Sequence, residues 1–166
     1  MNNSISLIGM AGAGKSSIGK KLAKRLNFYF VDSDSIIEKK YGKSLQSILN
    51  ENGNKKFKEI EEGALLSVQF NQIVLATGGS AVFCDAAMKH IKKNSMVIYL
   101  EVPYEDILVR ISKFSERGLL KRSDQNIKEA YKEREGLYQQ YADQTVKNNG
   151  TIVSCLNKVL SLVATD

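Results

Sequence analysis

Gly9-Met10-Ala11-Gly12-Ala13-Gly14-Lys15-Ser16 decides the fold of this chain. The octet matches G-x-x-x-x-G-K-[ST] at every defined position, and its setting is the one the motif requires. The apolar run Ile5–Ile8 before it reads as a buried strand, and Lys15–Leu26 after it carries Ile18, Leu22, Ala23 and Leu26 at helical spacing. Glycines let the backbone curl until several N–H groups point into one cavity, and the start of a helix adds a positive dipole. Phosphate oxygens settle in such a cradle. On this reading Gly12, Ala13, Gly14, Lys15, Ser16 and Ser17 hold the phosphates of a nucleoside triphosphate, Lys15 reaches the β- and γ-phosphates, and the Ser16 hydroxyl is a ligand for Mg²⁺. A glycine-rich turn without a ligand is the bland alternative, and the complete motif between strand and helix argues against it.

Working outward, further strands are expected over 28–31, 73–77, 96–100 and 144–147. Helices are expected over 32–41, 45–50 with Ser44 as N-cap, 55–68 after a break at Gly53, 85–92, 103–111 with Pro103 in the first turn, 125–141 and 154–163. The polar stretch 113–123 reads as a loop. Strands alternating with helices mean an α/β fold with a mostly parallel sheet covered on both faces. No repeat or linker divides the 166 residues, so a single domain, 1–166, is expected.

With 43% hydrophobic and 25% charged residues, the chain has the material for a packed core and is not a disordered one. No apolar run approaches the ~20 residues that span a bilayer, and the N-terminus lacks the basic and apolar regions of a signal peptide. Cys84 and Cys155 have no metal-ligand spacing and read as small buried hydrophobes, so a reducing cytoplasm is the expected location. The net charge of +6 favours anionic partners. Because no basic segment is interleaved with base-stacking aromatics, nucleotides and small acids are favoured over nucleic acid. His90, the only histidine, reads as a surface residue.

The phosphate loop leaves the acceptor open: water makes an NTPase, a hydroxyl makes a kinase. A guanine-reading N-K-x-D is absent, and the strand over 73–77 runs into Gly78-Gly79-Ser80 without the carboxylate usual in motor ATPases. A small-molecule kinase is therefore favoured. Further segments point together: Asp32-Ser33-Asp34 after the second strand, Phe57-Lys58-Glu59-Ile60-Glu61, Thr77-Gly78-Gly79-Ser80-Ala81-Val82, Arg117-Gly118-Leu119-Leu120, and Arg134-Glu135-Gly136-Leu137-Tyr138. In this order and at these spacings the chain resembles the shikimate kinase family over nearly its whole length.

The resemblance implies a three-layer P-loop kinase with a five-stranded parallel sheet, a lid at about 112–124 and a substrate-binding region at about 33–61. It implies phosphorylation of the 3-hydroxyl of shikimate by MgATP, with Lys15, Asp34 and Arg117 as catalytic residues. Asp32 matches an aspartate that helps place Mg²⁺ through water, beside Ser16. An acidic pair capping the next helix is the structural alternative, and the two roles are compatible. Asp34 matches the residue that holds substrate hydroxyls and takes the proton of the attacking one. Gly78 and Gly79 match backbone that approaches the substrate, and Arg134 matches the arginine whose fork holds the substrate carboxylate. Arg117 matches the lid arginine and Arg110 a position near the adenine.

Three positions depart from the family pattern. Lys58 stands for arginine and loses the bidentate fork. Ser80 stands for the third glycine of a triplet, where its hydroxymethyl group fills space or adds a hydrogen bond. Gly118 replaces a proline and gives its segment more conformational freedom. Two of these touch acceptor recognition, so a kinase of another small hydroxylated carboxylic acid and a non-catalytic nucleotide-binding homologue are the rival readings. A monomer with ATP and a small carboxylate as its partners, and neither nucleic acid nor membrane, is expected.

Overall fold

The computed structural model describes residues 3–112 and 126–164. The expected lid lies outside them except for Ser112, and with it Arg117 and Gly118. In chain order the elements are β1 (Ile5–Ile8), α1 (Lys15–Leu26), β2 (Tyr29–Asp32), α2 (Ser33–Tyr41), α3 (Leu45–Leu66), β3 (Ile73–Ala76), a 3-10 turn (Ala81–Phe83), α4 (Asp85–Asn94), β4 (Met96–Glu101), α5 (Tyr104–Ser112), α6 (Ile127–Tyr141), β5 (Gln144–Lys147) and α7 (Ile152–Val163). The expected strands and helices are present with ends moved by a few residues, except that the two helices expected over 45–50 and 55–68 form one.

The five strands form one sheet in the order β2-β3-β1-β4-β5, and every pairing is parallel. Ile5 lies opposite Val74 on one side and Met96 on the other, which sets β1 at the centre. Central strands of a parallel sheet are covered on both faces and need continuous apolar runs. β1 and β3 are buried at every residue, whereas the edge strand β5 buries only Val146. Each fully buried Leu, Ile or Val contributes roughly 1.5–3 kcal/mol. A parallel arrangement also places the loops after β1, β2 and β3 along one edge of the sheet, and those loops carry the phosphate motif, Asp32 and Gly78.

Helix ends follow local side-chain chemistry. Asp32 accepts the N–H of Asp34 and caps α2, so the helix starts one residue later than expected. Asn126 and Glu129 form a reciprocal capping box at the start of α6, and Thr151 caps α7, whose first residue, Ile152, lies two residues before the expected start. Residues expected as two helices form a single α3, kinked at Gly53 (φ 73°, ψ 169°). Glycine tolerates that positive φ, so the chain turns and resumes helix without a loop. Between α2 and α3, Ile37, Ile48, Phe57, Ile60 and Ala64 pack as a small core apart from the one around the sheet. The region expected to bind the acceptor thus has its own apolar support.

His90 is half-buried rather than a free surface residue: its Nε2 lies 3.2 Å from the Val68 carbonyl oxygen and its ring meets the Phe70 ring edge-on. Both cysteines are buried and free, and burial pushes the Cys84 thiol up to about 11. Among the described residues no helix is long and apolar enough to cross a membrane.

Candidate active site

The phosphate loop joins β1 to α1 through backbone that only glycine adopts easily. Gly9, Gly12 and Gly14 all have positive φ, and a Cβ on Gly9 would stand 2.8 Å from the Leu100 carbonyl oxygen of β4. Lys15 is buried and donates to the carbonyl oxygens of Gly9 (2.7 Å) and Met10 (2.8 Å). Its ammonium therefore lies over the loop. Two residues outside the motif brace this cradle. Asn148, just after β5, donates from Nδ2 to the Ala13 carbonyl (2.8 Å), and Arg110 of α5 donates to the carbonyls of Gly12 (3.2 Å) and Asn148 (3.0 Å). Arg110, expected near the adenine, thus ties the loop to the β5–α7 connection.

Ser16 follows Lys15 in the first turn of α1 and donates to Asp32 Oδ2 at 2.6 Å. The other Asp32 oxygen accepts the Asp34 N–H at 3.0 Å. One carboxylate therefore caps α2 and meets the hydroxyl of the phosphate loop. Paired hard oxygens at a helix N-terminus suit Mg²⁺, which takes one or two carboxylates and otherwise prefers water and phosphate oxygen.

Asp34, in the first turn of α2, faces the loop after β3. A Cβ on Gly78 would stand 3.1 Å from Asp34 Oδ1 and 2.9 Å from Glu61 Oε1, so the two carboxylates flank a position that must remain bare. The Gly78 N–H is held by Ser33 Oγ at 2.9 Å. Next to it, a Cβ on Gly79 would stand 3.1 Å from the Ala11 backbone nitrogen, which brings the phosphate loop and the expected acceptor wall into contact. Tyr138 of α6 donates its hydroxyl to the Gly79 carbonyl (2.6 Å) while its ring stacks on Tyr99, 5.0 Å between centroids.

Ser80 is buried, and its hydroxyl lies 2.8 and 2.6 Å from the two oxygens of Glu61. The hydroxymethyl group therefore adds a hydrogen bond to a buried carboxylate. Burial pushes Glu61 up to about 7, helped by the Asp34 charge and opposed by the Ser80 hydroxyl, Arg134 and Lys58. Arg134, on α6, is 3% exposed, although the charges around it in the sequence suggest a solvated face. Burial lowers its pKa, with Tyr138, Glu133 and Glu61 opposing the shift. Lys58, on α3, is exposed and lies over the Phe83 ring.

Of the residues expected in the site, the structure gathers Gly12 to Ser17, Asp32, Asp34, Lys58, Gly78, Gly79, Ser80, Arg110 and Arg134 around one edge of the sheet. Arg117 lies outside the described residues. A family model described as shikimate kinase matches residues 11–164. The chain belongs to the shikimate kinase family. A shikimate kinase of Francisella tularensis subsp. novicida is 39% identical over 160 residues, covering 93% of this chain and 91% of its own length. Among solved structures, a shikimate kinase from Acinetobacter baumannii in complex with shikimate superposes with a TM-score of 0.88 at 33% identity, covering 98% of this chain and 93% of that one. The shikimate kinase from Aquifex aeolicus gives 0.83 at 27%, covering 98% and 96%. The sheet and its helices match these shikimate kinase structures. Family membership makes the chain an ATP-dependent small-molecule kinase.

Within this shikimate kinase fold, several site residues escaped the reading of the sequence. Glu61 sat inside a quoted segment but had no assigned role; the signal was its place one turn after Lys58, on the face of α3 that carries Phe57. Tyr138 packs its ring on Tyr99, and its hydroxyl also fixes Gly79. Asn148 and Phe83 carried no signal, because their partners Ala13, Lys58 and Arg134 are distant in sequence.

Proposed function

We propose that this chain transfers the γ-phosphoryl group of MgATP to the 3-hydroxyl of shikimate, giving shikimate 3-phosphate and ADP. The approach of Gly79 to within 3.1 Å (as a Cβ position) of the Ala11 nitrogen carries the reading, because it sets a phosphate cradle and a carboxylate-lined wall side by side. Transfer between bound partners needs this adjacency, and most of the catalysis is positioning and charge stabilisation.

Gly12 to Ser17 bind the phosphates, and Lys15 exchanges its loop carbonyls for β- and γ-phosphate oxygens. Ser16 and Asp32 would hold Mg²⁺, Asp32 through water, and the ion would supply charge neutralisation at the phosphates. Asp34 orients the acceptor hydroxyl and takes its proton. Gly78 and Gly79 leave room for the ring, and Arg134 with Lys58 meets its carboxylate. Arg110 supports the base side of the nucleotide site, and Arg117 takes the role of the lid arginine that the resemblance implies.

The test is a coupled ADP-release assay with MgATP across shikimate concentrations. Saturable, shikimate-dependent release supports the reading. ATP binding without shikimate stimulation overturns it and favours the rival observation, that Lys58 and Ser80 have reshaped the wall for another hydroxylated carboxylic acid; a panel of such acids then identifies the acceptor.

A further inference from the structure

Two cations of the acceptor wall share one aromatic ring. Lys58 Nζ lies 5.0 Å from the centroid of Phe83, and Arg134 Cζ lies 5.5 Å from the same centroid. Lys58 comes from α3 and Arg134 from α6, so the ring stands where two separate helices deliver their charges. Among the described residues no carboxylate lies within ion-pair distance of the Lys58 ammonium. A lysine head on a flexible four-carbon stem is otherwise free to wander, and the electron-rich face of an aromatic ring is an attractive place for it.

The ring itself is placed by backbone. Phe83 ends the 3-10 turn directly after Gly78, Gly79 and Ser80, with its N–H donating to the Ser80 carbonyl at 3.0 Å. Tyr138 holds the Gly79 carbonyl, and the Cys84 sulfur contacts the Lys58 carbonyl at 3.9 Å, so the turn is tied to both helices that carry the cations. Two like charges beside one ring repel each other, and an anion between them relieves that repulsion. We infer that Phe83 is a positioning residue of the acceptor site, its ring holding the Lys58 ammonium and the Arg134 guanidinium together so that one carboxylate bridges them. The inference rests on the reaction proposed above and deepens it: a lysine without a fork gains a defined place by leaning on a ring.

The experiment compares wild type, Phe83→Leu, Phe83→Met and Phe83→Tyr in the coupled assay, with shikimate and ATP varied separately and a thermal melt for each protein. Loss of one or two cation–π contacts raises the shikimate KM of the Leu and Met variants by about three- to thirtyfold. Their kcat and ATP KM stay within about twofold of wild type by the same reasoning, and Phe83→Tyr, which keeps the ring face, behaves as wild type. In a Lys58→Met background the further effect of Phe83→Leu shrinks, because half of what the ring holds is gone. Two results overturn the inference alone: an unchanged shikimate KM in a folded Leu or Met variant, or equal losses for both substrates and kcat. Wild type that turns over without any dependence on shikimate overturns the proposed reaction and this inference with it. Met is unbranched and fills irregular gaps, so one variant remains readable should Leu fold poorly.

Discussion

Replacing Glu61 with glutamine should stabilise this protein increasingly as pH rises from about 4.5 to about 7, and by a constant amount beyond. Glu61 is 5% exposed, hydrogen-bonded by Ser80, and held up to about 7 against an ordinary glutamate value of 4.5, chiefly by burial. The folded value lies above the unfolded one, so the folded protein binds the extra proton between those two values. Stability is full below about 4.5, falls as pH rises through about 7, and is flat beyond. At about 1.36 kcal/mol per pH unit, keeping the ionised form buried at pH 8 costs ~3 kcal/mol relative to an exposed glutamate. Glutamine keeps an acceptor for the Ser80 hydroxyl and offers a donor that the serine oxygen can accept, without the charge. The assay is urea unfolding of wild type and Glu61→Gln at pH 4.5, 6, 7 and 8. The stability difference should grow by ~3 kcal/mol in favour of glutamine across that range, or roughly 6–12 °C in Tm for a chain of this size. A difference that stays constant from pH 4.5 to 8 would refute the reasoning, because it would mean that Glu61 titrates alike in both states.

Lys15→Ala should lower kcat by about 10²–10³-fold or more in the coupled assay, as removal of a charge stabiliser at a transferring group does; turnover near wild type would remove Lys15 from the chemistry. Asp32→Asn keeps an oxygen to cap α2 but loses the charge beside Ser16. The Mg²⁺ concentration for half-maximal activity should rise several-fold at little cost in stability, whereas Asp32→Ala should lose about 1 kcal/mol of helix capping as well. Gly79→Ala places a methyl group 3.1 Å from the Ala11 nitrogen, so either the phosphate loop or the acceptor wall must give way. Activity should fall about tenfold or more with the melting temperature largely kept, since small misplacements cost transfer more than folding.

How much of this was legible in sequence depends on the range of the interaction that builds each part. The phosphate loop and the strand–helix alternation are local, and β1, α1 and β5 fall on the residues expected. Helix starts shifted where a capping side chain sits just before the first turn: Asp32 and Thr151 each do so. The same Asp32 shows that two readings of one residue need not compete, since one oxygen caps α2 and the other takes the Ser16 hydroxyl. Arg134 was hidden by its neighbours. Lys132, Glu133 and Glu135 make the segment look like a solvated face, yet the guanidinium itself turns inward beside Phe83 and Tyr138.

The departures from the family pattern are the parts that sequence could locate but not interpret. Ser80 was visible as a glycine replaced, with no sign of what its hydroxyl would meet. The structure pairs it with Glu61, nineteen residues earlier on another element. Lys58 was visible as a lost fork, with no sign that a ring would stand under its ammonium. Each replacement has a partner across the wall: the serine a buried carboxylate, the lysine an aromatic face it shares with Arg134. Substituting one member of such a pair therefore tests a different property from substituting the other. Glu61→Gln in a Ser80→Ala background separates the two contributions, because the hydroxyl opposes the upward push on Glu61. Without it, the Glu61 ionisation should move further up, because a hydrogen bond that favours the charged form is lost. The stabilisation by glutamine should then be larger at pH 8 than in the Ser80 background. An equal gain in both backgrounds would mean that the serine fills space and does no electrostatic work.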